Sequence, residues 1–221
     1  YVIGVSVAVH LLNLLCIPAI ALIFAYRKRQ RLRAIQVLGV LLLSFAIVGL
    51  ILFGLVPGFI KVAQLVELLC VNTLQMPFNS GVFVYVVLLM SLMIWALWEL
   101  NSQRSSQRIR LSVFLSVAVS GMLCIGSPVM TMLLLAIWGV WIFLVVRRIN
   151  VRIYNVIVWS IFVIFIGYSS YGVILIRANA NPPMNQNAVD NLFSLASYLN
   201  REQYKAHPLL YGPTPFSERI K

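Results

Sequence analysis

Tyr1 to Arg33 constrains this chain most: an apolar run of helix length that ends in Arg27, Lys28, Arg29, Arg31 and Arg33. A hydrocarbon core of roughly 30 Å is crossed by about 20 apolar helical residues. Tyr1 to Tyr26 meets that without an Asp, Glu, Lys or Arg and with one histidine, His10. Loops rich in Lys and Arg stay on the cytoplasmic side. The expectation is therefore a first span running from outside to inside, with the later spans alternating from it.

The remainder fits an all-α polytopic membrane bundle. Of 221 residues 62% are hydrophobic and 10% charged, more apolar surface than a soluble domain can hide. The apolar runs are continuous, without the period-two alternation of a transmembrane barrel. Six spans are expected, near 1–26, 34–56, 82–100, 111–126, 129–146 and 153–176. Pro57-Gly58 reads as an outer turn. Residues 59–76 then read as an amphipathic helix in the outer interface, with Lys61, Gln64 and Glu67 on a solvated face. Ser127-Pro128 marks a second tight outer turn. Gly167, Ser169, Ser170 and Gly172 are small residues suited to close helix packing.

The net charge of +12 raises the question of nucleic acid, and position answers it. Arg27, Lys28, Arg29, Arg31, Arg33, Arg104, Arg108, Arg110, Arg147, Arg148 and Arg152 are eleven of the 17 basic residues. All lie in three short connections that fall on one side when six spans alternate. They face lipid headgroups, so the bilayer is the partner and nucleic acid is not. Cys16, Cys70 and Cys124 match no metal or disulfide spacing and read as small buried hydrophobes. The chain opens on Tyr inside an apolar run without a charged n-region, so it does not read as a signal peptide and is expected to be part of a longer polypeptide.

Beyond Arg177 the composition turns to Asn, Pro, Gln and Asp. Residues 1–177 read as the membrane domain and 178–221 as an extracytoplasmic linker and the start of a soluble region. Asp190 reads as the N-cap of a short amphipathic helix, Asn191 to Glu202, with Leu192, Leu195, Ala196 and Leu199 on one face.

Candidate site residues follow from polar groups at membrane depth. Ser6, His10 and Asn13 share a helix face at i, i+4 and i+7. They either line a polar cleft for a lipid-linked ligand or bond helix to helix. Lys61 belongs to a solvated face or to a lid over an outer cleft. Arg177 snorkels to headgroups or binds a phosphate through its planar fork. Glu67, Glu99, Asp190, Glu202 and Glu218 are the five acids, and no close pair among them suits general acid and base work. There is no phosphate-binding glycine loop, zinc-protease motif or nucleophile elbow. Mid-span carboxylates, which ion-coupled transport requires, are missing too.

Four stretches carry a resemblance. They are Gly4-Val5-Ser6 with His10 to Leu15 and Ile17-Pro18-Ala19; Pro77 to Gly81; Tyr168 to Tyr171 with Ile176 to Asn185; and Ser197 to Tyr204 with Pro208 to Gly212. Together they resemble a bacterial family of large multipass proteins related to the protein O-mannosyltransferases of the GT-C glycosyltransferase superfamily, over nearly the whole chain. The resemblance implies a glycosyltransferase of the bacterial inner membrane that moves a hexose from a polyprenyl-phosphate donor to a protein or glycan hydroxyl on the outer face. The catalytic acid of that superfamily sits in the first outer loop, a region this sequence does not contain. The chain would then be the later membrane helices, holding the lipid-linked sugar donor, and would inherit no catalytic residue. No cofactor is assigned, although the resemblance leaves room for a divalent metal in the longer enzyme. A transporter or channel fragment and a structural membrane subunit are the competing readings.

Overall fold

A computed structural model describes residues 1–29, 31–103, 105–146, 150–200 and 202. They form helices and no strand. In chain order these are α1 (Val2–Val9), a 3₁₀ turn (Leu11–Leu15), α2 (Cys16–Lys28), α3 (Ala34–Leu50), a π turn (Ile51–Leu55) and α4 (Val56–Asn72). There follow α5 (Ser80–Ser102), α6 (Ser106–Val119), α7 (Pro128–Val140) with a π turn (Trp141–Val145), α8 (Val151–Tyr168), α9 (Tyr171–Asn179) and α10 (Leu192–Leu199). Among the described residues four helical runs are long and apolar enough to cross a membrane: Ala34–Asn72, Ser80–Ser102, Pro128–Val145 and Val151–Asn179. Arg104, Arg147, Arg148 and the segment from 203 onward lie outside the described residues.

Two sequence expectations change in α4. The chain does not turn at Pro57-Gly58: both residues are helical at the start of α4, directly after the π turn, where the regular i→i−4 ladder that a proline would interrupt is already broken. The 34–56 span and the 59–76 helix thus merge into one run of 39 residues that ends at Asn72. Upright, such a run would rise about 58 Å, nearly twice a hydrocarbon core. The π turn at Ile51–Leu55, a known site of helix bending, divides it.

The second change is Glu67. Expected on a solvated face, it is 1% exposed. One carboxylate oxygen accepts the backbone N–H of Asn79 at 2.6 Å and the other that of Val82 at 3.1 Å. These are orphan donors at the start of α5, and a carboxylate there also faces the positive end of the helix dipole. Gly81 makes the contact possible, since a Cβ there would stand 2.4 Å from the Glu67 Cα. Lys61, on the same helix, is exposed as expected.

Glycines also set the crossing of α1 on α8. A Cβ on Gly167 would lie 2.5 Å from the Val5 nitrogen, and one on Gly4 would lie 2.5 Å from the Ile164 carbonyl oxygen. Farther along, the Tyr171 hydroxyl donates to the Val7 carbonyl at 3.3 Å. The partner numbers rise with those of α1 along α8 and on into α9, so α1 runs parallel to α8. Gly172, by contrast, has open space around it. Above this crossing Phe59 packs against Tyr85, Phe165 and Tyr168 at 5.1–5.8 Å between ring centres, and Val56, Leu89, Ile161 and Leu195 extend the same core.

The opposite end is held by polar ties. Asn155 donates to Asn101 at 3.1 Å, joining the start of α8 to the end of α5. Arg110 of α6 donates to the Ile142 and Phe143 carbonyls at 2.6 and 3.1 Å, placing a cation on the negative end of the α7 run. Glu99, near the end of α5, is buried there, with Trp95 donating to it at 3.3 Å and Arg108 4.0 Å away. Cys70 is buried as expected, Cys124 is half-buried and Cys16 is exposed.

Helix α10 forms close to its expected place, and Leu192 and Leu195 are buried against the core that includes α4. Its N-cap is Asn191, which accepts the N–H groups of Phe193 and Ser194 at 2.9 Å. Asp190 instead steadies the cap by accepting from the Asn191 amide at 2.8 Å.

Candidate functional site: a groove in a broken helix

The first apolar run is not one helix. His10 stands in extended backbone at φ −156°, ψ 123°, between α1 and the 3₁₀ turn. Its Nδ1 accepts the Leu12 N–H at 3.1 Å, so the imidazole caps the turn rather than facing across a helix. Pro18 supplies the local cause. It has no N–H for the Leu14 carbonyl, so an α-helix running through Leu14 would lose that rung. The 3₁₀ pattern, with the Asn13 N–H on the His10 carbonyl at 3.0 Å, replaces it.

Beyond His10 the chain doubles back. The Asn13 side-chain amide donates to the Ser6 carbonyl at 3.1 Å, and that carbonyl also takes the His10 N–H at 2.9 Å. Tyr1, Val2, Ile3 and Ser6 then line one wall of an open groove of about 780 Å³ whose other wall is Leu12, Asn13, Cys16 and Ile20. Since α1 runs parallel to α8, α2 returns towards the end that holds Asn101 and Asn155. Arg27 and Lys28 therefore point to that end as well, whereas His10, Lys61 and Arg177 sit at the opposite one.

The five expected site residues part company. Ser6 and Asn13 line the groove, with the Ser6 hydroxyl donating to the Ile3 carbonyl at 2.9 Å. His10 is exposed at the turn and lies outside the groove lining. Lys61 is exposed on α4 beside the loop that carries Cys124; burial pushes that thiol up, and the Lys61 ammonium pulls it back. Arg177 is exposed in the last turn of α9. Among the described residues no hydrogen bond or ion pair joins Lys61 or Arg177 to the groove.

Sequence reading overlooked Pro18 as a breaker and Cys16, Leu12 and Ile20 as groove lining. The proline inside the apolar run was the available signal. Among the described residues no three His, Cys, Asp or Glu side chains gather in a metal-holding group. No protein-family model, curated protein or solved structure matches the chain. What the fold and groove define is a helical protein with membrane-spanning character and a polar-tipped apolar cleft.

Proposed function

We propose that this chain is the membrane-embedded part of a glycosyltransferase of the bacterial inner membrane that uses a polyprenyl-phosphate-linked sugar, with its catalytic acid contributed from outside the chain. The observation that carries this reading is the groove between α1 and α2. Its walls are apolar, as an isoprenoid chain requires, and near the turn it presents the Asn13 amide and the Ser6 hydroxyl to a polar head. Irregular backbone at membrane depth is tolerated where it lines a cavity. The family resemblance adds the donor class, and Arg177 and Lys61 supply cations at the same end of the bundle.

The proposed topology has six crossings, by the 3₁₀ turn with α2, then α3, α5, α6, α7 and α8, with α4 lying in the outer interface beyond the π turn. The basic loops are cytoplasmic and the segment after Arg177 is extracytoplasmic. A transporter is the second reading, favoured by the same observation, because discontinuous helices are how such proteins build midplane sites.

A photoreactive polyprenyl-phosphate added to the chain in proteoliposomes tests the donor site. Labelling of the 1–20 segment, competed by unlabelled polyprenyl phosphate and weakened in Asn13→Leu, is the expected result. Labelling spread over all helices and indifferent to competitor contradicts it. Hexose transfer from a polyprenyl-phosphate sugar by the longer polypeptide separates the enzyme from the transporter, which would instead accumulate solute.

A further inference from the structure

A second groove, of about 980 Å³, opens at the other end of the bundle between the end of α5 and the start of α8. Leu100 at its floor is fully buried and belongs to the apolar core. Its walls are Asn101, Gln103, Asn150, Arg152 and Asn155. None of the lining residues is acidic. The nearby carboxylate, Glu99, turns inward to Trp95 and Arg108. The side chains of Gln103 and Arg152 make no hydrogen bond to any described residue, whereas Asn101 and Asn155 hold each other across the groove.

The helix faces that carry these polar groups turn apolar towards the bundle centre. On α5, Asn101 is followed at three and seven residues back by Trp98 and Ile94, which are 60% and 55% exposed. On α8, Arg152 is followed at four and seven residues on by Val156 and Trp159, 61% and 47% exposed. Such spacings stack side chains on one helix face. One cation and several amides above two apolar, outward-facing tracks have the shape of a phospholipid: a charged head with acyl chains below it.

We infer that this groove binds the head group of an anionic phospholipid of the phosphatidylglycerol kind. The Arg152 guanidinium takes the phosphodiester through its planar fork. The Asn101, Gln103 and Asn150 amides bond the glycerol hydroxyls and ester oxygens, and the acyl chains lie along Trp98 and Trp159. The absence of a carboxylate on the walls favours an anionic head over one that ends in an ammonium. The apolar tracks favour a lipid over a free phosphate. This site is separate from the α1–α2 groove and does not depend on its ligand.

The test is native mass spectrometry of the full chain released from phosphatidylcholine vesicles that contain phosphatidylglycerol. Retention of phosphatidylglycerol is expected to fall roughly tenfold or more in Arg152→Gln, the loss of a charge-assisted hydrogen bond to the phosphodiester, and to fall also in Gln103→Leu, which keeps the charge. Lys28→Gln removes an exposed charge from the same end outside the groove and is expected to retain lipid like the parent. Equal loss in Lys28→Gln and Arg152→Gln would reduce the site to diffuse attraction and overturn the inference. Displacement of the lipid by sn-glycerol 3-phosphate would overturn it too, by assigning the groove to a soluble phosphate.

Discussion

The Glu67 carboxylate meets the Asn79 backbone N–H at 2.6 Å across the turn that joins α4 to α5. With Val82 on the other oxygen, this buried acid stands in for the side-chain cap that α5 lacks, since Asn79, in the left-handed region, makes no side-chain capping bond.

Replacing Glu67 therefore unseats a helix start. Glu67→Leu takes the acceptor away from two part-buried N–H groups at the start of α5 and is expected to lose about 1–3 kcal/mol of stability. Glu67→Gln keeps one acceptor oxygen and is expected to lose about half as much. Thermal unfolding in detergent reads both. A melting point unchanged in Glu67→Leu would show that the carboxylate is not the cap.

The α1–α8 crossing has no room for a methyl group. Gly167→Ala sets a Cβ 2.5 Å from the Val5 nitrogen, which forces backbone apart and is expected to cost about 1–3 kcal/mol. Gly172→Ala enters open space and is expected to be neutral or slightly stabilising, because alanine is the better helix former. Melting of the two variants side by side checks the contrast; equal losses would contradict it.

Arg110 ties α6 to the end of the α7 run through the Ile142 and Phe143 carbonyls. Arg110→Gln is expected to speed amide exchange across Trp141–Val145 and to destabilise by about 1–2 kcal/mol. Arg110→Lys, a point charge without the fork, is expected to recover part of the loss. Exchange in that segment that ignores both variants would remove the tie.

Glu202 supplies a pH-dependent element after α10. It accepts from the Ser197 hydroxyl and from the Asn200 amide, and these two bonds, Ser197 foremost, hold its carboxyl below the ordinary carboxylate range. A lowered folded-state pKa stabilises at pH above the unfolded value of about 4.3, and the contribution disappears as pH falls through the lowered one. Amides near Ser197 are expected to lose protection over that acid window in the parent and not in Glu202→Gln. Identical profiles would exclude the contact.

The helical class and most helix positions are legible in the apolar runs, because burial in an apolar solvent leaves the backbone no option but internal hydrogen bonding. The α10 amphipathic pattern is legible too, its Leu192 and Leu195 spacing surviving intact. Glu67 was not, because i, i+3 polar spacing looks the same whether the face meets water or the start of another helix; only the tertiary placement of Asn79 decides. Pro57 and Pro18 mislead in opposite senses. The first reads as a stop but sits directly after a π turn that already interrupts the regular ladder, and the second passes inside an apolar run yet breaks it. Of the candidate site, Ser6 and Asn13 were found by membrane-depth polarity, whereas the wall opposite them depends on a chain reversal that no periodicity encodes.

That reversal at His10 is most directly tested by a distance. Spin labels at Val2→Cys and Ile20→Cys, in Cys16→Ser, Cys70→Ser and Cys124→Ser background, would lie about 27 Å apart along a continuous helix. Facing each other across the α1–α2 groove, they are expected within about 15 Å, on the order of three helical pitches or less. A single population near the longer distance in proteoliposomes would abolish the groove and the lipid-donor site built on it.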